Sequence, residues 1–380
     1  MELILKQYDI PLLRFSATND SSTPEIEVHW INEDQRHLLP LDMELSPEGI
    51  SRWMRRRTIP RNRAYVNRLL AKCGLNVNRP MGILALCKGL SVDDSYWVVE
   101  DGFEGTFEKY NLFENRFSEV LALIAFTGYG SSNRSSLASS PEFTTNGMLP
   151  KCWRRISGKV TLYKGSTDGG YNTGAEPYCE YYAAQVAAAM GIDAIPYGLS
   201  QWKGRLCSTC ELFTDIDHAY MPIGNLVQRG GFDAVAAYYE NLGEPFQKAF
   251  RDMLVFDAVI CNTDRHYGNF GFMIDNKTNT IAAPAPLFDH GNSLFNQAGP
   301  EDYESPEAFQ QYIDTLVPCV YDDFFATAKR FMADENREQL RKLLGFRFKR
   351  HVRYNLPPKR LKLMEEQVRK RAMRLLENKE

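Results

Sequence analysis

Asp264, His266 and Asn269 fall within six positions of one another in "NTDRHYGNFGFMID", and an apolar run follows at once. A second acid, Asp289, closes the later stretch "TIAAPAPLFDHG". One carboxylate and one amide oxygen are hard ligands of the kind that hold Mg²⁺ while water and nucleotide phosphate complete its shell. A further carboxylate outside that pair is placed to accept a proton or orient a hydroxyl. Because Asn269 and Asp289 stand far apart in sequence, the chain must double back for them to act together.

The intervening residues supply that return. "FGFMI" and "TIAAPAPLF" are strand-like arms around the turn "DNKTN", which predicts a hairpin. Pairing the arms brings Asn269, just before the first, close to Asp289, just after the second. Asp264, five residues ahead of Asn269, is left for the proton, the division of labour that phosphoryl transfer uses. A helix over "PFQKAFRDMLVFDAVICN" delivers the chain to Asp264. Upstream, "KVTLYKGS" is a strand leading into the Gly-rich loop "STDGGYNTGAEP". Pro177 suits the first turn of the next helix, "YCEYYAAQVAAAMG", and Gly191 ends it. On its wheel Tyr178, Tyr182, Val186 and Met190 share a face, whereas Glu180 sits beside Ala183, Ala184 and Ala187, small residues that let another backbone approach the acid.

Around this centre, "ELILKQ", "LLRFSA" and "EIEVHWI" read as short strands, and Ser46-Pro47-Glu48 opens a helix carrying Arg52, Arg55, Arg56 and Arg57. The arginines are expected to form a solvated basic face. Helices follow over "AYVNRLLAKCG" and within "PMGILALCKGL". Between Gly128 and Thr145 the Ser-rich "GYGSSNRSSLASSPEFTT" has the composition of a mobile linker and suggests a boundary. Further strands are expected around "AIPYGLS" and "RLCSTCELF", and mostly helix beyond residue 230.

"NTDRHYGNFGF" followed by "LFDHGNSL" resembles the catalytic core of the HipA-like serine/threonine kinases, whose fold is akin to that of the phosphatidylinositol 3/4-kinases. The resemblance is strongest from about residue 141 to 300. It implies ATP and Mg²⁺ as cofactors, Asp264 as the catalytic acid, Asn269 and Asp289 as metal ligands, and His266 as a scaffold of the catalytic loop. It makes Lys164 the phosphate-holding lysine and Glu180 its helix partner. Lys159 competes, but Lys164 lies at the strand's end next to the Gly-rich loop. "TTNGMLPK" is similar to the family's phosphate loop in Gly147 and Lys151, while Met148 and Leu149 depart from the usual small residue and Gln; Asn146 joins these two as an expected nucleotide contact. "CELF" resembles the adenine hinge, with Glu211 and Phe213 offering backbone groups. A serine that some members autophosphorylate corresponds to Thr144 here, and the serines of "SSNRSSLASS" are neighbouring candidates.

Composition limits the alternatives. With 45 Lys and Arg against 48 Asp and Glu among 380 residues, a net charge of −3 gives no global attraction to nucleic acid or acidic lipid. The opening "MELILKQYDIPLLRF" is broken by Lys6, Asp9 and Pro11, unlike a signal peptide, so a cytoplasmic location is expected. The eight cysteines are expected to be reduced, and Cys207-x-x-Cys210 lacks the second pair of a zinc ribbon. A D-x-H-x-x-N string alone is no more than turn residues capping a strand; the spacing to Asp289 and the upstream Lys and Glu make it specific. A two-metal phosphoesterase would need several more His ligands. A lipid kinase or a non-catalytic kinase-like module remains as the other reading. The expected fold is α+β and protein-kinase-like, of the HipA and phosphatidylinositol 3/4-kinase type. Its divisions are a β-rich N-terminal subdomain over 1–130, a nucleotide-binding lobe over 131–215 and a mostly helical lobe over 216–380. The resemblance further implies a protein substrate with Ser or Thr and allows a DNA-binding, antitoxin-like partner, as in toxin–antitoxin kinases; no direct nucleic-acid contact is expected.

Overall fold

Alternating apolar residues pair the first strands. β1 (Glu2–Gln7), β2 (Ile10–Ala17), β3 (Ile26–Ile31) and β4 (Tyr96–Glu100) form an antiparallel sheet in the order β3-β2-β1-β4 in the computed structural model, which describes residues 1–18, 24–130, 140–170 and 172–377. Leu3 lies opposite Phe15 and Leu5 opposite Leu13, so one register buries all four. The helix Pro47–Arg56 starts where Ser46 accepts a hydrogen bond from Gly49 N, and packs Ile50, Trp53 and Met54 into the same core. β4 has no polar face. Tyr96 and Val98 enter this core, while Trp97 and Val99 enter a second one with Phe107, Trp153 and Val160. A strand covered on both sides loses the alternation that would announce it.

β5 (Lys151–Ile156) and β6 (Lys159–Lys164) form the next hairpin, turning at Ser157 and Gly158, both with positive φ. These strands belong to a unit made of Met1–Lys164, Glu211–Met221 and Met273–Ala282; the remaining segments, Gly165–Cys210, Pro222–Phe272 and Ala283–Glu380, make a second unit. The Ser-rich residues 131–139, where a boundary and self-modification sites were expected, lie outside the described residues.

The solvated arginine face is correct only in part. Arg52 and Arg55 are exposed, but Arg57 is buried, gripping Asp94 at 2.7 Å through both terminal nitrogens and Gly89 O through Nε, with Trp53 4.5 Å from its guanidinium. Arg56 pairs with Asp42. A guanidinium enters a core when its fork is filled, and here the fork is. Next to this cluster, burial and then the charge of Asp94 push the Asp93 carboxyl up to about 6. An unfolded chain gives up that proton near pH ~4. Stability should therefore fall as pH rises from about 4 to about 6, then stay lowered, by less than about 3 kcal/mol because the group keeps some water. Asp93→Asn is expected to flatten that step and raise the urea midpoint at pH 7; an unchanged pH profile would refute the assignment.

In the second unit, the helix Glu176–Met190 has Pro177 in its first turn and closes on Gly191 at φ 78°. β7 (Gly198–Trp202) pairs with β8 (Arg205–Glu211). The expected strand in "AIPYGLS" begins only at Gly198. Ala194 instead bridges to Leu287, with Ile195 N donating to Leu287 O at 2.8 Å. The helix Phe246–Ile260 is buried from Asp252 to its end, and the helices Pro306–Asp314, Phe324–Phe331, Asp334–Arg341 and Pro358–Leu376 follow. β9 (His218–Pro222), β10 (Gly271–Asp275) and β11 (Thr280–Pro284), most of whose residues belong to the first unit, run in the order β11-β10-β9. The β10–β11 turn forms because Asp275 Oδ1 accepts from Lys277 N and Thr278 N at 2.8 and 2.9 Å.

Candidate active site

The helix Phe246–Ile260 ends at Cys261, a non-glycine residue with φ 54°. Asn262 then ties the exit down, donating through Nδ2 to Asp257 Oδ1 and accepting from Asp264 N, both at 3.1 Å. Within the loop His266 N donates to Asp264 O, Asn269 N donates to His266 O, and Asn269 Nδ2 reaches back to Asp264 O at 3.1 Å. The five-residue gap makes that return contact. It commits the amide nitrogen of Asn269 and turns its oxygen the other way. Asp264 is half-buried and Asn269 buried. The His266 ring is exposed and its Nδ1 accepts from Gly268 N at 3.0 Å, so it braces the turn. A side chain at 268 would press on that ring, which explains the glycine.

Asp289 arrives on the other arm of the hairpin. Ala285 N donates to Gly271 O, and the bridge at Leu287 fixes the approach. Tyr197, three residues beyond the bridging Ala194, then takes Asp289 N on its hydroxyl at 3.0 Å. Burial, reinforced by Glu180, holds that hydroxyl protonated far above the ordinary tyrosine range. Asp289 has φ 54°, and Leu294 and Phe295 after it are also left-handed. Each such residue costs about 1–2 kcal/mol, so the surrounding contacts must hold this segment in place.

Arg265 is the main holder. Its Nη1 donates to Asn269 O at 3.1 Å and to Phe288 O at 2.6 Å, so one nitrogen ties together the bases of the two expected metal ligands. Nε and Nη2 pair with Asp257 at 3.0 Å, and Nη2 lies 3.0 Å from His290 Nδ1. His290 N in turn donates to Glu180 Oε2 at 2.8 Å. Arg265, Asp257 and Glu180 are all essentially inaccessible to water. Burial pushes the Asp257 carboxyl up while Arg265 holds it back; Asp257 in turn keeps Arg265 charged against the cost of its own burial. The sequence reading passed over Arg265, Asp257, Tyr197 and Asn292, the last of which donates to Asp264 Oδ2 at 2.9 Å. A lone acid inside the apolar run "MLVFDAVI" was the visible sign of Asp257.

The phosphate-loop candidates lie in the first unit. Lys151 Nζ donates to Asn146 O at 2.8 Å, and Gly147, at φ 91°, leaves room for it; a Cβ there would collide with the ammonium. Behind the loop, Arg63 and Glu142 form a buried pair, and Arg63 Nη2 also donates to Lys151 O at 2.9 Å. Thr144 is buried, its hydroxyl donating to Leu90 O at 2.9 Å. Lys164 stands opposite Lys151 in the β5–β6 register, and both are buried. Lys159, the competing lysine, is exposed and paired with Glu211 at 2.8 Å. Leu212 N, between Glu211 and Phe213, donates to Val160 O, and the Phe213 ring packs edge-on against Tyr220. Lys164 thus belongs to the first unit and Glu180 to the second.

Among the described residues no three His, Cys, Asp or Glu side chains converge as a metal cluster. No helix is long and apolar enough to cross a membrane. No family model matches the chain. In sequence it is similar to the serine/threonine-protein kinase CtkA of Helicobacter pylori strain J99, 27% identical over 135 residues, covering 32% of this chain and 41% of CtkA. That match therefore spans less than half of CtkA. In structure it is similar to the crystal structure of the H. pylori proinflammatory kinase CtkA, with TM-score 0.51, 15% identity, and 61% of this chain and 92% of that one covered. A chain of the Shewanella oneidensis MR-1 toxin–antitoxin complex of HipA, HipB and operator DNA matches with TM-score 0.53 and 13% identity over 98% of this chain and 97% of its own. The likeness establishes the fold these chains have in common.

Proposed function

For a chain with the HipA and CtkA kinase-like fold and a resemblance to the HipA-like serine/threonine kinases, we propose a Mg²⁺-dependent ATP:protein serine/threonine phosphotransferase. The observation that carries the reading is the Arg265 clamp, which gathers the bases of Asn269 and Asp289 beside the loop that presents Asp264. The donor chemistry suits Mg²⁺: one carboxylate, Asp289, and one amide oxygen, Asn269, whose nitrogen is already committed. Mg²⁺ with ATP, when bound, supplies the phosphoryl group and offsets its charge. Asp264 accepts the proton of a Ser or Thr hydroxyl and fixes its direction. Lys164, Lys151, Asn146 and Gly147 are assigned to the nucleotide phosphates, Glu211 and Phe213 to the adenine edge, Glu180 to Lys164, and His266 to bracing the loop.

The division into an N-terminal subdomain over 1–130, a nucleotide lobe over 131–215 and a helical lobe over 216–380 is part of this proposal. So is a DNA-binding partner of antitoxin type, on the likeness to a complex that contains HipB and operator DNA. Self-modification at Thr144 would require its hydroxyl to leave Leu90 O. Incubating the protein with γ-labelled ATP, with Mg²⁺ and with excess chelator, tests the core of the reading. Label on Ser or Thr only when Mg²⁺ is present is the expected result. Label that appears only on added phosphoinositide, or nucleotide binding without any transfer, would replace it.

A further inference from the structure

The segment after Asp289 does more than bring a metal ligand. Asn292 is held against the catalytic loop at both ends: its carbonyl accepts from Thr263 N at 3.1 Å and Thr263 Oγ1 at 3.2 Å, and its Nδ2 donates to Asp264 Oδ2 at 2.9 Å. The amide cannot face the other way. A carboxylate only accepts, so the group turned toward Asp264 must be the NH₂. Its oxygen is then left pointing away, and it accepts from Asn296 Nδ2 at 2.9 Å. Asn296 is itself buried, with its carbonyl taken by Arg360 Nη2 at 3.1 Å and its own N–H donating to Ser293 O. The result is a directed chain, Asn296 to Asn292 to Asp264, each link setting the polarity of the next.

From this geometry we propose that Asn292 is a positioning residue that dedicates Oδ2 of Asp264 to the protein and leaves Oδ1 as the oxygen that receives the acceptor hydroxyl, with Asn296 orienting Asn292. The inference rests on the phosphotransfer reading, and it deepens that reading at one atom. Without the Asn292 donor the Asp264 carboxylate can rotate, and either oxygen can meet the hydroxyl at the wrong angle. A misplacement on the scale of an ångström costs about 10²-fold in rate. The backbone bonds from Thr263 survive any change of the Asn292 side chain, so the segment stays attached.

The test compares Asn292→Leu, Asn296→Leu and the double variant with wild type and Asp264→Asn, reading Mg²⁺-dependent transfer from γ-labelled ATP. Asn292→Leu is expected to lower kcat by about 10- to 100-fold with the KM for ATP unchanged. Asn296→Leu is expected to lower it less, and to have no further effect in the Asn292→Leu background. Additive losses, or a wild-type kcat in Asn292→Leu while Asp264→Asn is inactive, overturn the inference and leave the phosphotransfer reading intact. An Asp264→Asn variant as active as wild type overturns the reading, and the inference with it. Independent of turnover, the side-chain amide resonance of Asn292, assigned by its loss in Asn292→Leu, should move strongly in Asp264→Asn, where the charge it faces is gone. A resonance that does not move removes the contact and the proposal.

Discussion

Asp264→Asn is expected to reduce phosphoryl transfer by about 10²- to 10⁴-fold, the usual contribution of a positioned carboxylate, with nucleotide affinity close to wild type. The substitution is nearly isosteric at a half-buried position. The loop contacts at 264 use its backbone, which takes hydrogen bonds from His266 N and Asn269 Nδ2 and gives one to Asn262 Oδ1, so the local fold should persist. An amide has one acceptor oxygen where the carboxylate has two, and no charge to draw a hydroxyl proton. Initial rates from γ-labelled ATP, measured beside nucleotide affinity by calorimetry, separate the two effects. A variant with wild-type turnover would take Asp264 out of the chemistry, and one that no longer binds nucleotide would show that the substitution disturbs more than the acceptor's side.

What the sequence makes legible here is local. The D-x-H-x-x-N loop, the hairpin turn and the two helices with Pro in the first turn each carry their signal in a few adjacent letters, and the structure has them. β4 was missed because both its faces are covered, so no period of two exists to detect. The strand expected around "AIPYGLS" starts only at Gly198; ahead of it the backbone of Ala194 and Ile195 pairs with Leu287, ninety-odd residues on, which no local pattern announces. The site divides the same way. Asp264, Asn269 and Asp289 stand out by type and spacing, whereas the residues that hold them do not. Nothing in the spacing gives Arg265 a role, and Arg57 reads as one of four surface arginines. Whether an arginine is exposed or buried depends on which acid or carbonyl lies opposite it after folding, and Asp257 and Asp94 could not be paired with them by pattern.

Asp257→Ala or Arg265→Met, made singly, is expected to cost about 3–5 kcal/mol of folding stability, because each leaves a charge buried without its partner. For Arg265→Met the loss includes two carbonyls, Asn269 O and Phe288 O, deprived of their donor. The double variant, Asp257→Leu with Arg265→Met, removes both charges, and apolar replacement of a buried pair is often close to neutral. Urea unfolding should therefore show the double variant recovering much of what the single ones lose. Its turnover should not recover. Arg265 contributes more than neutralisation: it fastens the start of one hairpin arm to the end of the other and reaches toward Glu180 through His290. A double variant that is stable but inactive separates the ion pair's share in folding from the clamp's share in placing Asn269 and Asp289. If it regained both stability and activity, the hairpin alone would suffice to bring the ligands together, and Arg265 would be no more than a filler of its own pocket.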